Sequence, residues 1–289
     1  MAYGKSTSNL MDTPIKFTSV FTPYVGDNGY KFTGLQTIYV LNVENGSLVT
    51  YNEASVTPVG AVPLVAPNEQ ELTLAYNQAM FAKIQHTQIQ DIPVNSFAKK
   101  WAYQQISEVF IPAHDTYSLG KLRAARPASN TVTTTPANWA AGTDKLSLKL
   151  EQAINLARTN GNLDTNMSVA WMAYAYAASL ASQINFTGSD QGYKDAKSGY
   201  LGKHKGVVCV EVKDDFFTAG VYVIVADKRA IVAVKPKMSP SDIRIIEKVP
   251  GFGGIEVQLR DRGDTFVLNK KAGAIATIED VASTTTTTA

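Results

Sequence analysis

A single cysteine, Cys209, excludes an internal disulfide and any metal site built from several cysteines. It lies in VVCVEV, where a small buried apolar residue is expected rather than a reactive thiol. Histidine is almost as scarce. His86, His114 and His204 are far apart, and none has the H-x-x-x-H spacing of a helical metal site. No window approaches the ~18 apolar residues of a membrane span. The opening MAYGKSTSNLMDTP has no apolar core of the secretory kind, so a reducing cytoplasm is the expected compartment. Charged residues make up only 18%, and the formal net charge of +2 argues against a broad nucleic-acid-binding face while leaving room for a local basic patch.

Signatures of catalysis are missing too. His114-Asp115 has the look of a base and its orienter, but no G-x-S-x-G elbow completes a triad. A helix-surface histidine beside a carboxylate is the simpler reading. GKHKG at 202–206 lacks phosphate-loop spacing. Gly251, Gly253 and Gly254 precede a strand, not the helix a dinucleotide fingerprint requires. Both glycine clusters read as turns. No catalytic residue, cofactor site or metal site is assigned.

What is present is a long alternation of strands around one helix. Residues 1–34 carry Pro14, Pro23, Gly26 and Gly29 and cannot form a core alone; they are either disordered or an extended arm docking Phe17, Phe21, Tyr24 and Tyr30 on another surface. LQTIYVLNV (35–43) is a strand, Asn45-Gly46 suits a hairpin turn, and SLVTYNEASV is its candidate return. Pro58, Pro63 and Pro67 preclude a central strand before ELTLAYNQAMFAKI (71–84) resumes strand character. Between Lys31 and Lys83 there is no lysine or arginine, while Glu44, Glu53, Glu69 and Glu71 are acidic. This is either a solvated acidic excursion or one that lies on basic groups of a neighbouring molecule.

A helix is expected over Ser96–Ile111, capped by Asn95 or Ser96, with Phe97, Trp101, Ile106 and Phe110 on its apolar side. Pro112 should kink or restart it, with helix resuming through Leu119 and Leu122. PASNTVTTTPANWAAGT (127–143) reads as a boundary loop. The next helix should be capped at Thr143 or Asp144, bury Leu146, Leu150, Ile154 and Leu156, and end at Gly161. MSVAWMA is a strand, AYAASLASQI a helix, and 186–206 a loop. VVCVEV is a strand, and VYVIVADKRAIVAVKPK a strand pair turning at Asp227-Lys228. IEVQLRDRGDTFVLNKKAGAIATI gives two strands turning near Gly263, expected to pair with the strands before the long helix. The C-terminal stretch 279–289, with its threonine run, reads as a disordered tail.

This order resembles the tailed-bacteriophage major capsid proteins of the Hong Kong 97 type. FTGLQTIYVLNV, an excursion, and ELTLAYNQAMFAKI are similar to that family's strand–extended loop–strand. IPVNSFAKKWAYQQISEVFIPAHDTYSLGKL, with Pro112, Asp115 and Tyr117, resembles its spine helix. SGYLGKHKGVVCVEV resembles the run into its axial strands, and DTFVLNKKAGAIA its closing strand. The resemblance implies an α+β fold in parts: an N-arm (1–34), peripheral strands with an extended loop (35–84, loop about 45–70), a spine helix (85–128), a mainly axial domain (129–250), closing peripheral strands (251–278) and a tail (279–289).

The implied function is a head shell of pentamers and hexamers enclosing double-stranded DNA, assembled in the bacterial host cytoplasm and ending in the virion. DNA contacts would be non-specific. Further partners would be portal, scaffolding and possibly decoration proteins, with no membrane. The lysine-free loop implies none of the lysine–asparagine cross-links found in some members. The short segment before the first strand implies a separate scaffold, or none. Intersubunit contacts are expected at Glu53, Val59, Leu64 and Glu69, facing Lys99, Lys100, Arg123, Arg126, Arg260 and Arg262. Exposed pairs give ~0–1 kcal/mol each, so apolar burial should supply affinity and charge the register. An encapsulin-like compartment shares this fold, and a cytoplasmic hydrolase using His114 and Asp115 is a third reading.

Overall fold

The computed structural model describes residues 18–26, 28–30, 37–42, 68–85, 94–140, 142–183, 199–234, 243–246 and 254–280. Expectations for Phe17, Asn45-Gly46, the return strand, most of the acidic excursion, 184–198, Gly251, Gly253 and the threonine run fall outside these.

A helical run over residues 94–125 forms the long axis, about 48 Å at 1.5 Å per residue. It comprises α1 (Val94–Gln105), a π-helical turn (Ile106–Phe110) and α2 (Ile111–Ala125). The helix therefore starts before Asn95 and Ser96, which lie inside its first turn. Pro112 neither breaks nor restarts it. One wide turn precedes the proline, and the Ile111 N–H donates to the Ile106 carbonyl five residues back. That shift in bonding accommodates a residue with no N–H to give.

α1 covers one face of a small antiparallel sheet made of β3 (Tyr76–Gln85), β10 (Ile243–Ile246) and β11 (Gly254–Val267). Ala98, Ala102 and Phe110 pack on Ile255, Val257 and Leu259 there. The expected pairing of the strand before the helix with the strand near the end of the chain is found, with Tyr76 opposite Gly263 and Gln85 opposite Gly254. The single strand expected over 71–84 is instead two. β2 (Asn68–Thr73) stops at Leu74–Ala75 and pairs with β1 (Thr37–Asn42) in a separate ribbon. Gly263 makes no turn either. β11 runs through it and exchanges β3 for β9 (Ile231–Val234) as its partner.

α2 lies on the larger core around a six-stranded sheet. Its strands are ordered β4 (Thr131–Thr134), β12 (Ile275–Asp280), β8 (Val221–Asp227), β5 (Ser168–Ala173), β7 (Val207–Val212) and β6 (Tyr200–His204). Four local expectations change here. The threonine-rich loop supplies β4 and a short α3 (Pro136–Ala140), because β-branched threonines suit a half-wet edge strand. The expected 186–206 loop contains β6. β8 and β9 are not a hairpin: a 3-10 turn at Lys228–Ala230 sends them to different sheets. β12 joins the six-stranded sheet rather than the sheet beside α1, and it reaches Asp280, past the expected start of a tail.

α4 (Leu146–Gly161) and α5 (Tyr174–Ala181) complete this half. α4 buries Leu146, Leu150 and Ile154 with Ala153 and Ala157, whereas Leu156 is only half-buried. Lys145, not Thr143 or Asp144, is its N-cap; the Asp144 carboxylate accepts from the Thr134 hydroxyl at 2.8 Å. The left-handed C-cap is Asn162, at φ 53°. Gly161 serves close packing: a Cβ there would stand 1.9 Å from the Ala274 nitrogen.

Candidate functional site

The arm residues that can be described do not wait for a neighbour. Phe21 is fully buried and stacks on Trp171 of β5 with ring centroids 5.2 Å apart, and the Trp171 indole donates to the Val20 carbonyl at 3.0 Å. Asp115 of α2 anchors the same turn, accepting from the Ser19 hydroxyl at 2.7 Å and the Val20 N–H at 2.8 Å. Burial pushes its carboxyl up to about 6, against the downward pull of those hydrogen bonds.

His114 and Asp115 are therefore not on a helix surface; both are about 2% exposed or less. Helix periodicity and an apolar turn on either side could have signalled this. Asp115 spends its oxygens on the arm, so it does not orient His114. Burial lowers the His114 pKa, with Asp264 opposing, so the ring is neutral; it meets Tyr76 edge-on, with centroids 5.2 Å apart. The nearby Ser118 hydroxyl is bonded to Thr265 at 2.7 Å. The hydrolase reading loses its base–orienter pair. Cys209 is buried, and burial pushes its thiol up to about 12, the opposite of what a nucleophile needs. Among the described residues no cluster of His, Cys, Asp or Glu could hold a metal ion, and no helix is long and apolar enough to cross a membrane.

What remains prominent is surface. The β1–β2 ribbon packs Val40 and Leu72 inward on Val232 and Leu268. Its other face places Tyr39 opposite Glu71 and Leu41 opposite Glu69. Tyr39 is 65% and Leu41 62% exposed. The sequence showed LQTIYVLNV as a strand without assigning its two faces; the alternation of Tyr39 and Leu41 with Val40 was the available signal.

The outward face of β3–β11 is the basic counterpart. Arg260 lies opposite Ala79 and Arg262 opposite Asn77, with Phe81 two residues on and 59% exposed. Lys99 and Lys100 are exposed on α1, near Tyr103 at 66%. Arg123 and Arg126 differ. Both guanidiniums grip Glu279 of β12, at 3.0 and 2.6 Å, and Glu279 is fully buried. Glu69 is exposed on the ribbon; Glu53, Val59 and Leu64 fall outside the described residues.

No protein-family model matches the chain, and no curated protein matches it. Solved structures do. A chain of the "Capsid structure of the Cyanophage P-SCSP1u" superposes with a TM-score of 0.67 at 13% identity, over 96% of this chain and 93% of that one. The chain has a phage-capsid fold. A Mycobacterium phage Bobi structure gives 0.62 at 14% identity, covering 96% and 95%. The asymmetric unit of the bacteriophage PhiM1 mature capsid gives 0.59 at 10%, covering 97% and 91%. The fold expected from the order of strands, excursion and long helix is thus the one found, at identities too low for sequence matching to reach.

Proposed function

We propose that this chain is the major capsid protein of a tailed bacteriophage, assembling through pentamers and hexamers into a head shell around double-stranded DNA. The observation that carries this reading is the match to phage-capsid structures over nearly the full length of both chains. On this reading the ribbon and the 43–67 excursion are the extended loop, and α1 with β3, β10 and β11 form the peripheral domain. The six-stranded sheet is the axial domain. Portal, scaffolding and decoration proteins would be further partners, and the host cytoplasm the place of assembly. Packaged DNA, rather than enzyme cargo, separates this reading from an encapsulin-like compartment.

The same reading assigns the subunit contact to complementary faces. The acidic arm, through Glu53 and Glu69 with Val59 and Leu64, would lie on a neighbour's Lys99, Lys100, Arg260 and Arg262. Arg123 and Arg126 are already engaged by Glu279 within the subunit, so they are set aside from this contact. Tyr39 and Leu41 would add apolar area. Reversing charge in a Glu53→Lys, Glu69→Lys double variant should abolish shells in electron micrographs while leaving the thermal unfolding midpoint within a few degrees. Adding Arg260→Glu and Arg262→Glu should restore part of the yield. Normal shells from the first double variant would sink the contact.

A further inference from the structure

Five strand ends meet on one side of the six-stranded sheet. Ile275 pairs with Ala226, Ser168 with Asp227, Val169 with Val208, and His204 with Val207. This brings together the turn after β8, the segment before β12 and the β6–β7 hairpin, whose two-residue loop, Lys205-Gly206, has positive φ at both positions. The chain thereby collects Lys203 and Lys205, Lys228 and Arg229, and Lys270 and Lys271 from three distant stretches of sequence.

Two of these six cations are neutralised. Arg229 forks onto Asp227 at 3.0 and 2.7 Å, and the Lys205 ammonium lies 2.7 Å from Glu151. Among the described residues no carboxylate forms an ion pair with the other four; Lys271 donates to the Arg229 carbonyl at 3.2 Å. Lys228 is only half exposed, and its pKa is lowered first by burial and then by the charge of Lys203, with Asp227 opposing. Lys203 and Lys228 thus add like charge at the same end of the sheet. A cleft of about 320 Å³ opens beside them, lined by Gly161, Asn162, Asp227, Arg229, Lys270 and Lys271.

The shape of this charge matters. From β12 to β6 the sheet crosses four strand spacings, about 19 Å in all, so the cations form a row rather than a point. A lone carboxylate would relieve one of them. The chain's own acidic stretch is too sparse, with only Glu44, Glu53, Glu69 and Glu71 spread over residues 44–71. Duplex DNA presents a continuous row, about one charge per 1.7 Å of axis.

We propose that this basic end of the six-stranded sheet, through Lys203, Lys228, Lys270 and Lys271, is a docking surface for the phosphate backbone of double-stranded DNA, bound without regard to sequence. It rests on the reading of the chain as a shell subunit, which puts DNA within reach.

The test is titration of a labelled 30-base-pair duplex with the purified full-length protein at several salt concentrations. Four neutralised phosphates predict a slope of log K against log salt of about −3 to −4. The Lys203→Gln, Lys228→Gln, Lys270→Gln triple variant should bind at least tenfold more weakly and lose most of that slope. Because Lys228 is half-buried, the Lys203→Gln, Lys270→Gln double variant guards against misfolding and should lose about half the slope. A Lys213→Gln control, at the opposite end of β7, should bind like the parent. Unchanged affinity in the triple and double variants overturns the proposal, as does a parent that does not bind. Loss of shells with DNA binding intact also overturns it and makes the patch a contact between copies. DNA binding without any shells from the parent would support the surface and remove the capsid reading instead.

Discussion

Asp115 and Glu279 are both buried carboxylates, yet they respond to pH in opposite directions. Asp115 has no cation beside it. Its carboxyl titrates near 6 in the folded chain against 3.8 in the unfolded one. The stabilisation from holding that proton is complete below about pH 4 and is lost as pH rises through 6. It is worth at most about 3 kcal/mol at 1.36 kcal/mol per pKa unit. Asp115→Asn should therefore flatten the pH dependence of thermal unfolding between pH 4 and 6; an unchanged profile would contradict the assignment. Burial alone would raise Glu279, but the hydrogen-bonded guanidiniums of Arg123 and Arg126 outweigh it and hold the carboxyl below its usual range. Its stabilisation is present above the unfolded pKa and lost as pH falls through the lower folded value. Glu279→Gln leaves two half-buried guanidiniums poorly paired and should cost about 3–5 kcal/mol at neutral pH, a gap that narrows in acid.

At the scale of elements, the packing of α4 on the segment before β12 has the least tolerance. Gly161 and Gly273 pass so closely that a Cβ on either would meet backbone, at 1.9 and 2.3 Å. Gly161→Ala should lower stability by about 3 kcal/mol or more, since backbone and not a flexible side chain must move; a midpoint within a degree of the parent would refute this. Much of the element list was legible in the sequence. Alternating Ile255, Val257 and Leu259 gave a half-buried strand, and the 3.6-residue spacing of Leu146, Leu150 and Ile154 gave α4. Apart from the pairing of β3 with β11, what could not be read was which strands share a sheet. β8 and β9 are continuous apolar runs with no alternation, so nothing local shows that Lys228–Ala230 turns the chain into another sheet. The turn expected at Gly263 failed for a related reason, because a glycine in a strand also suits a change of partner. Pro112 was legible as a perturbation but not as a π-helical turn placed ahead of it.

For the whole molecule, the long helix joins two cores. α1 lies on the small sheet with β3 and β11, and α2 on the six-stranded sheet, with β11 and β12 returning from one to the other. Asp115 and the Arg123–Glu279–Arg126 triad fasten the second half from opposite ends of α2. The surfaces left open are an acidic ribbon with two exposed apolar side chains, a basic sheet face with an exposed phenylalanine, and a basic sheet end. On the proposed reading these are the unlike faces that a subunit repeating around an axis needs. Charge counting picked out Arg260, Arg262 and Glu69, which are exposed, but could not show that Arg123 and Arg126 are tied up by a glutamate within an apolar strand.

The most direct measurement is electron microscopy of the purified full-length protein alone, at concentrations up to tens of micromolar. Closed hollow particles of uniform diameter, with five- and six-fold clusters in class averages, are predicted. Monomers or dimers alone, from protein whose melting shows that it is folded, would contradict the capsid reading.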